Sequence, residues 1–222
     1  LRHHKPQGLP DGLVLDVFGY REWEPSLFRQ TERATLLVPL IISFGEAFEI
    51  GLGHQPGDAD RYGSFAAGLF AGPVHILSRG ASHCIQINFT PPGAYRFFGR
   101  PMHDLADRMV PLDDLDDPGI AVLSDRLAGA RSWEARFALV DRFLHDRLGE
   151  ARSSPTAQAY SALLRSGGAL PVARISERLG WSRKHVAARF REEVGLPPKA
   201  VSRMARFAQA SRMAREGGGR GW

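Results

Sequence analysis

The tightest local constraint in this chain is the stretch Leu170-Pro171-Val172-Ala173-Arg174-Ile175-Ser176-Glu177-Arg178-Leu179-Gly180-Trp181-Ser182-Arg183-Lys184-His185-Val186-Ala187-Ala188-Arg189-Phe190-Arg191-Glu192-Glu193-Val194-Gly195. Pro171 suits the first turn of a helix, where its missing N–H matters least. Val172, Ile175 and Leu179 fall on one face at helical spacing, and the small Ala173 lets a neighbouring helix approach. Gly180 supplies the left-handed residue that ends this helix, and Ser182 is a good N-cap for the next. Val186, Phe190 and Val194 then recur at i, i+4 and i+8, facing back toward the first helix, and Gly195 closes the second. The outer side carries Arg183, Lys184, Arg189 and Arg191. The pattern predicts two short helices joined by a turn of about three residues.

Charge points to what such a unit meets. Residues 152–222 hold fourteen Lys or Arg against four Glu, a net +10, whereas residues 1–151 hold fifteen against twenty acids, a net −5. A basic C-terminal third beside an acidic remainder suggests one part facing a polyanion and another that does not. A second helix with a basic outer face fits the ~12 Å major groove of duplex DNA. The alternative at this point is a helical hairpin inside some other fold, with Arg serving solubility.

The rest of the chain has a different texture. Residues 13–18, 36–44, 47–52, 64–70, 74–77 and 84–89 read as short strands separated by Gly, Pro and Asp signals, which predicts an antiparallel sandwich or small barrel. After the stop Pro91-Pro92-Gly93, residues 94–99 and 101–109 read as helical turns, and 113–118 as an acidic breaker. Helices are expected over 120–129, 133–148, 155–165 and 201–215, with Phe137, Val140, Leu144 and Leu148 forming a stripe that is either core or a homodimer seam. Ala151-Arg152-Ser153-Ser154-Pro155 is the expected linker. The chain is therefore expected to be α+β in two parts: a β-barrel or sandwich with helices after it, then an all-α helix-turn-helix. The boundaries fall at 1–112, 113–154 and 155–222. One cysteine, Cys84, forms no internal disulfide and fits a reducing cytoplasm, and no apolar run reaches membrane-spanning length. A start at Leu1 rather than Met is expected of a trimmed product.

The run from Ile175 to Lys199 resembles the first helix-turn-helix of AraC/XylS-type transcription regulators, through Leu179-Gly180-Trp181-Ser182 and Phe190 followed by Gly195-Leu196-Pro197-Pro198-Lys199. Residues 201–215 resemble the connecting helix of that domain. Upstream, Asn88-Phe89-Thr90-Pro91-Pro92-Gly93-Ala94 and Pro101-Met102-His103-Asp104-Leu105 resemble the cupin-like N-terminal domain of one branch of the family. The resemblance implies a cytoplasmic regulator that binds double-stranded DNA and responds to a small-molecule effector. It places the base-reading positions on Lys184, Ala187 and Ala188. Alanine cannot donate a hydrogen bond but can touch a thymine methyl, so direct readout falls mainly on Lys184. The DNA-binding set expected here is Ser182, as N-cap and phosphate contact; Arg183 and His185, as backbone contacts; Lys184, as base reader; Ala188; and Arg189, which either meets phosphate or covers the neighbouring helix. The resemblance also implies a second helix-turn-helix after residue 215, so this chain is expected to hold half of such a domain.

No catalytic residue, cofactor or metal is assigned. The histidines that a cupin-type enzyme with a basic appendage would use are His54, His75 and His83. They form no compact ligand set with Glu46 or Glu49, although a hairpin joining His75 to His83 would supply one. A third reading is a sensing fragment with weak DNA affinity. Trp23, Phe44, Phe65 and Phe70 are candidates to line an apolar pocket, or else plain core.

Overall fold

The computed structural model describes every residue except 22–27, 79, 81, 151–152 and 218–222, and the side chains of 216–217. Ten strands and seven α-helices are formed among the described residues. The strands are β1 (Arg2–His4), β2 (Val14–Arg21), β3 (Phe28–Glu32), β4 (Val38–Ser43), β5 (Phe48–Leu52), β6 (Arg61–Tyr62), β7 (Phe65–Ala67), β8 (Val74–Ser78), β9 (His83–Phe89) and β10 (Met109–Pro111). The helices are α1 (Pro91–Phe98), α2 (Pro118–Gly129), α3 (Trp133–Leu148), α4 (Pro155–Arg165), α5 (Val172–Leu179), α6 (Arg183–Val194) and α7 (Pro198–Gly217).

Two antiparallel sheets result, one ordered β1-β2-β9-β4-β7-β10 and one ordered β3-β8-β5-β6. Side-chain alternation in β4 shows how the layers stack. Val38, Leu40 and Ile42 are wholly buried in the main core with the helices, while Ile41 joins Ile50, Phe65 and Ala67 between the sheets. In β9, Ile85, Ile87 and Phe89 likewise face the helical side, and Gln86 faces the other. The six-stranded sheet is thus the middle layer, with helices on one face and the smaller sheet on the other. The expected sandwich is present, and the α+β class with it.

Four strands lie outside the expected set: β1, β3, β6 and β10. They are short, and β3 is exposed along its length. Helix α1 begins earlier than residue 94, because Pro91 and Pro92 occupy its first turn and Thr90 caps it, accepting from the Gly93 N–H at 3.1 Å. Gly93 is required there, since a Cβ would lie 2.0 Å from the Leu13 carbonyl oxygen. The acidic stretch is not wholly a breaker either. Asp117 caps α2, accepting from the Ile120 N–H at 3.1 Å, and pairs with Arg147 through both carboxylate oxygens at 2.6 and 2.7 Å. The stripe on α3 is core: Val140, Leu144 and Leu148 have no exposed surface, and Phe137 stacks on His4 at 4.6 Å. Residues 151–152 of the expected linker lie outside the described residues; Ser153 follows, and Ser154 caps α4.

The main core is continuous from the sheet to the C-terminal helices, running from Val17 and Leu40 through Phe97 and Leu144 to Ile175, Phe190 and Val201. Helix α6 packs on α1, α4 and α5 and on the 3-10 turn Met102–Asp104. The two parts expected from the sequence share one interior.

Candidate nucleic-acid interface

The segment 172–194 folds as its residues dictate. Gly180 takes φ +64° and ends α5, with its N–H donating to the Glu177 carbonyl and that of Trp181 to Ser176 at 3.0 Å. Ser182 then caps α6, its Oγ accepting from the His185 N–H at 3.2 Å. The Trp181 ring meets the His185 ring edge to face at 4.6 Å and fixes the turn against the second helix. Val186, Phe190 and Val194 have no exposed surface, and Ile175 of α5 is equally buried. Holding α6 on an apolar stripe leaves the opposite face free.

That face carries Lys184, Ala188 and Arg191, each exposed, flanked at the helix start by exposed Ser182, Arg183 and His185. Arg191 lies seven residues, two turns, beyond Lys184 and so shares its face. Glu192, one turn beyond Ala188, borders this face with its carboxylate engaged by Arg189 at 2.8 Å. The N-terminus of α6 adds the partial positive charge of its unpaired amides, favourable to phosphate.

Arg189 is placed elsewhere. Its guanidinium donates to Glu192 at 2.8 Å and to Glu193 at 2.6 Å, on the edge of α6 that packs against α1 and α4. Burial alone works against its charge, but the hydrogen bond and charge of Glu193, with Glu192 adding, hold it firmly protonated. Of its two expected roles, this geometry matches the cover of a neighbouring helix. Glu193 is itself buried and also accepts from Ser154 Oγ at the start of α4. Glu192 accepts from Tyr95 Oη at 3.3 Å, and burial, then the Glu192 charge, push that phenol up. Sequence reasoning placed Arg189 and Arg191 together on the outer face; the discriminating signal was the i, i+4 spacing of Arg189 to Glu193.

On the sheet side, a cavity of about 640 Å³ lies between the two sheets. Phe65 and Phe70 line it as expected, with Ile41, Ile50 and Ile76, and the polar groups at its walls include Glu32, Arg33 and Arg215 of α7. Burial raises the Glu32 carboxyl above its ordinary value, although the residue keeps exposed surface. Phe44 is not a liner: it packs on His83 at 5.3 Å and beneath the Arg136 guanidinium at 5.1 Å. Trp23 lies outside the described residues.

The three histidines are dispersed. His75 sits on β8 of the smaller sheet, near Thr31 at 3.1 Å, and His83 on β9 of the larger sheet, against Trp133 at 5.4 Å. No hairpin joins them. Burial, then the charges of Arg136 and Arg21, lower the His83 pKa and keep its ring neutral. His54 lies 3.8 Å from Asp60. Among the described residues no three His, Cys, Asp or Glu side chains come together as metal ligands, and no helix is long and apolar enough to cross a membrane.

No protein-family model matches the chain, and no curated protein sequence matches it. Among solved structures, it is similar in fold to crystal structures described as ToxT from Vibrio cholerae. An apo point variant overlaps at a TM-score of 0.43 with 8% identity, covering 92% of this chain and 83% of that one. A second overlaps at 0.41 with 11% identity, covering 90% and 82%. A third overlaps at 0.40 with 10% identity, covering 90% and 84%. Overlaps this coarse carry no functional weight.

Proposed function

We propose that this protein is a DNA-binding transcription regulator that lays α6 in the major groove of duplex DNA. One observation carries the reading. The segment 172–194 is a capped helix-turn-helix whose second helix buries Val186, Phe190 and Val194 and turns Lys184, Ala188 and Arg191 outward, with the bordering Glu192 neutralised by Arg189. Lys184 is the base reader, Ala188 offers a methyl contact, and Arg191 extends the cationic face. Ser182, Arg183 and His185 meet the phosphates beside the helix start. Arg189 supports this face from behind, through Glu193.

The cupin-like sheet part is the effector-binding part in this reading, and the inter-sheet cavity is its site. Its apolar walls and few polar groups have the character of a small-molecule pocket. Arg215 places α7, the helix that follows the reader, at the cavity wall. The chain performs no chemical step in this account, and a cytoplasmic setting follows from its partner.

Fluorescence anisotropy with labelled random-sequence duplex DNA tests the reading. Binding should weaken steeply with added salt, as counterion release requires. Reversing Arg183→Glu and Lys184→Glu together should abolish it. Binding that survives the double reversal at unchanged affinity would overturn the assignment.

A further inference from the structure

A second concave space, of about 480 Å³, lies at the junction of the two parts rather than between the sheets. Its walls come from the 10–13 segment and α1 on one side, and from α4 and α6 on the other. Leu13, Pro92 and Leu164 contribute apolar surface, and Tyr160 stands among them, its hydroxyl donating to the Leu36 carbonyl at 3.4 Å. Two arginines are among its lining residues, one from each part of the molecule: Arg96 of α1 and Arg165 of α4. Both are exposed, and neither has an ion-pair partner among the described residues. The acids on the walls are Glu193, already held by Arg189 and Ser154, and exposed Asp11. Arg96 also borders Asp146 and Glu150 at the end of α3, beyond ion-pair distance.

Two arginines without ion-pair partners, on two elements that wall one cavity, are suited to binding an oxyanion. Each guanidinium presents a planar fork of donors matched to phosphate oxygens. The apolar surface of the same cavity suits a hydrophobic body carrying that head. We propose that this junction cavity is a second small-molecule site, distinct from the inter-sheet cavity, and that it takes a phosphate monoester borne on an apolar group. Occupied, it ties α1 to α4. Its wall includes the Arg189–Glu193 pair, so the ligand lies one ion pair away from the outward face of α6.

Titration calorimetry of the full chain with phenyl phosphate tests the proposal, with inorganic phosphate and benzyl alcohol carrying the head and the body alone. Phenyl phosphate should bind saturably, one per chain, and at least tenfold tighter than either control. Arg96→Gln and Arg165→Gln should each weaken it tenfold or more, and Arg33→Gln, in the other cavity, should leave it unchanged. Melting temperatures of the two weakened variants should match the parent, because both side chains are exposed; if either falls, Arg96→Lys and Arg165→Lys, which keep the charge and lose the fork, should still show weaker binding. Absence of saturable binding, binding that survives both substitutions, or inorganic phosphate binding as tightly as phenyl phosphate would each overturn it. The titration contains no DNA, so its failure leaves the DNA-reading proposal standing, and the reverse holds too.

Discussion

On α6 the side chains of the outward face, Lys184, Ala188 and Arg191, take little part in holding the fold, whereas in the two-sheet part His83 and Phe44 are bound into the structure. Lys184, Ala188 and Arg191 are exposed on α6 while Val186, Phe190 and Val194 hold the helix down. His75 is instead engaged with Thr31, and His83 and Phe44 form a ring cluster with Trp133 and Arg136. The contrast recurs within two residues of one helix. Arg189 is tied to Glu192 and Glu193, and Arg191 is free of both. A side chain's chemistry names what it can do; which face of its element it occupies decides whether it is available to do it.

The largest effect is expected at the interior that both parts share. Phe190→Ala should cost about 3–5 kcal/mol, the usual range for removing a buried aromatic. Because the core is continuous, thermal unfolding followed by circular dichroism should remain a single transition at lower temperature. Two separated transitions would show the helix-turn-helix and the sheets to be independent units. Arg189→Gln leaves the buried Glu193 carboxylate without its cation and should cost about 1–3 kcal/mol in urea denaturation. A loss indistinguishable from zero would mean the pair does not hold α6 to α4. Ser182→Ala removes the cap of α6 and should cost about 1 kcal/mol, with Ser182→Asp retaining most of it.

A smaller effect belongs to the connecting helices. Hydrogen bonds from Arg147 hold the Asp117 carboxyl below the usual carboxylate range, assisted by the Ile120 N–H, with burial opposing them. A carboxyl whose folded pKa is depressed stabilises the fold fully above its ordinary pKa and loses that contribution as pH falls through the folded value. Asp117→Asn should therefore lower stability at neutral pH and flatten the acid limb of a stability-against-pH curve. An unchanged limb would assign acid sensitivity to other carboxylates. At the lower end, Lys184→Gln and Arg191→Gln should change stability by no more than about 0.5 kcal/mol, as exposed substitutions do.

The helix-turn-helix was legible because its signals are local. Gly180, Ser182 and the Val186-Phe190-Val194 spacing each act within one or two turns of their own position. Strands β4 and β9 were legible for a similar reason, since their alternation survives without knowledge of their partners. Strands β3 and β6 were not, because Phe28–Glu32 carries no buried side chain and Arg61–Tyr62 is two residues long; each exists only through the strand beside it. The burial of Glu193 was equally hidden. Its neighbour Glu192 makes the pair look like a solvated end of a helix, and the Ser154 that donates to it lies 39 residues away in sequence. The junction cavity depends on the approach of α1 to α4 and α6, which no local pattern encodes.

In the proposed function α6 reads DNA with the face bearing Lys184 and Arg191 and not with the edge bearing Arg189. The measurement that tests it most directly is the salt dependence of duplex binding by Arg191→Gln beside Arg189→Gln, at a temperature where both are folded. Loss of one phosphate contact should reduce the slope of log K against log salt by about 0.9. The account predicts that reduction, or weaker binding at every salt concentration, for Arg191→Gln, and a parental slope for Arg189→Gln. A parental curve for Arg191→Gln together with a reduced slope for Arg189→Gln would contradict it.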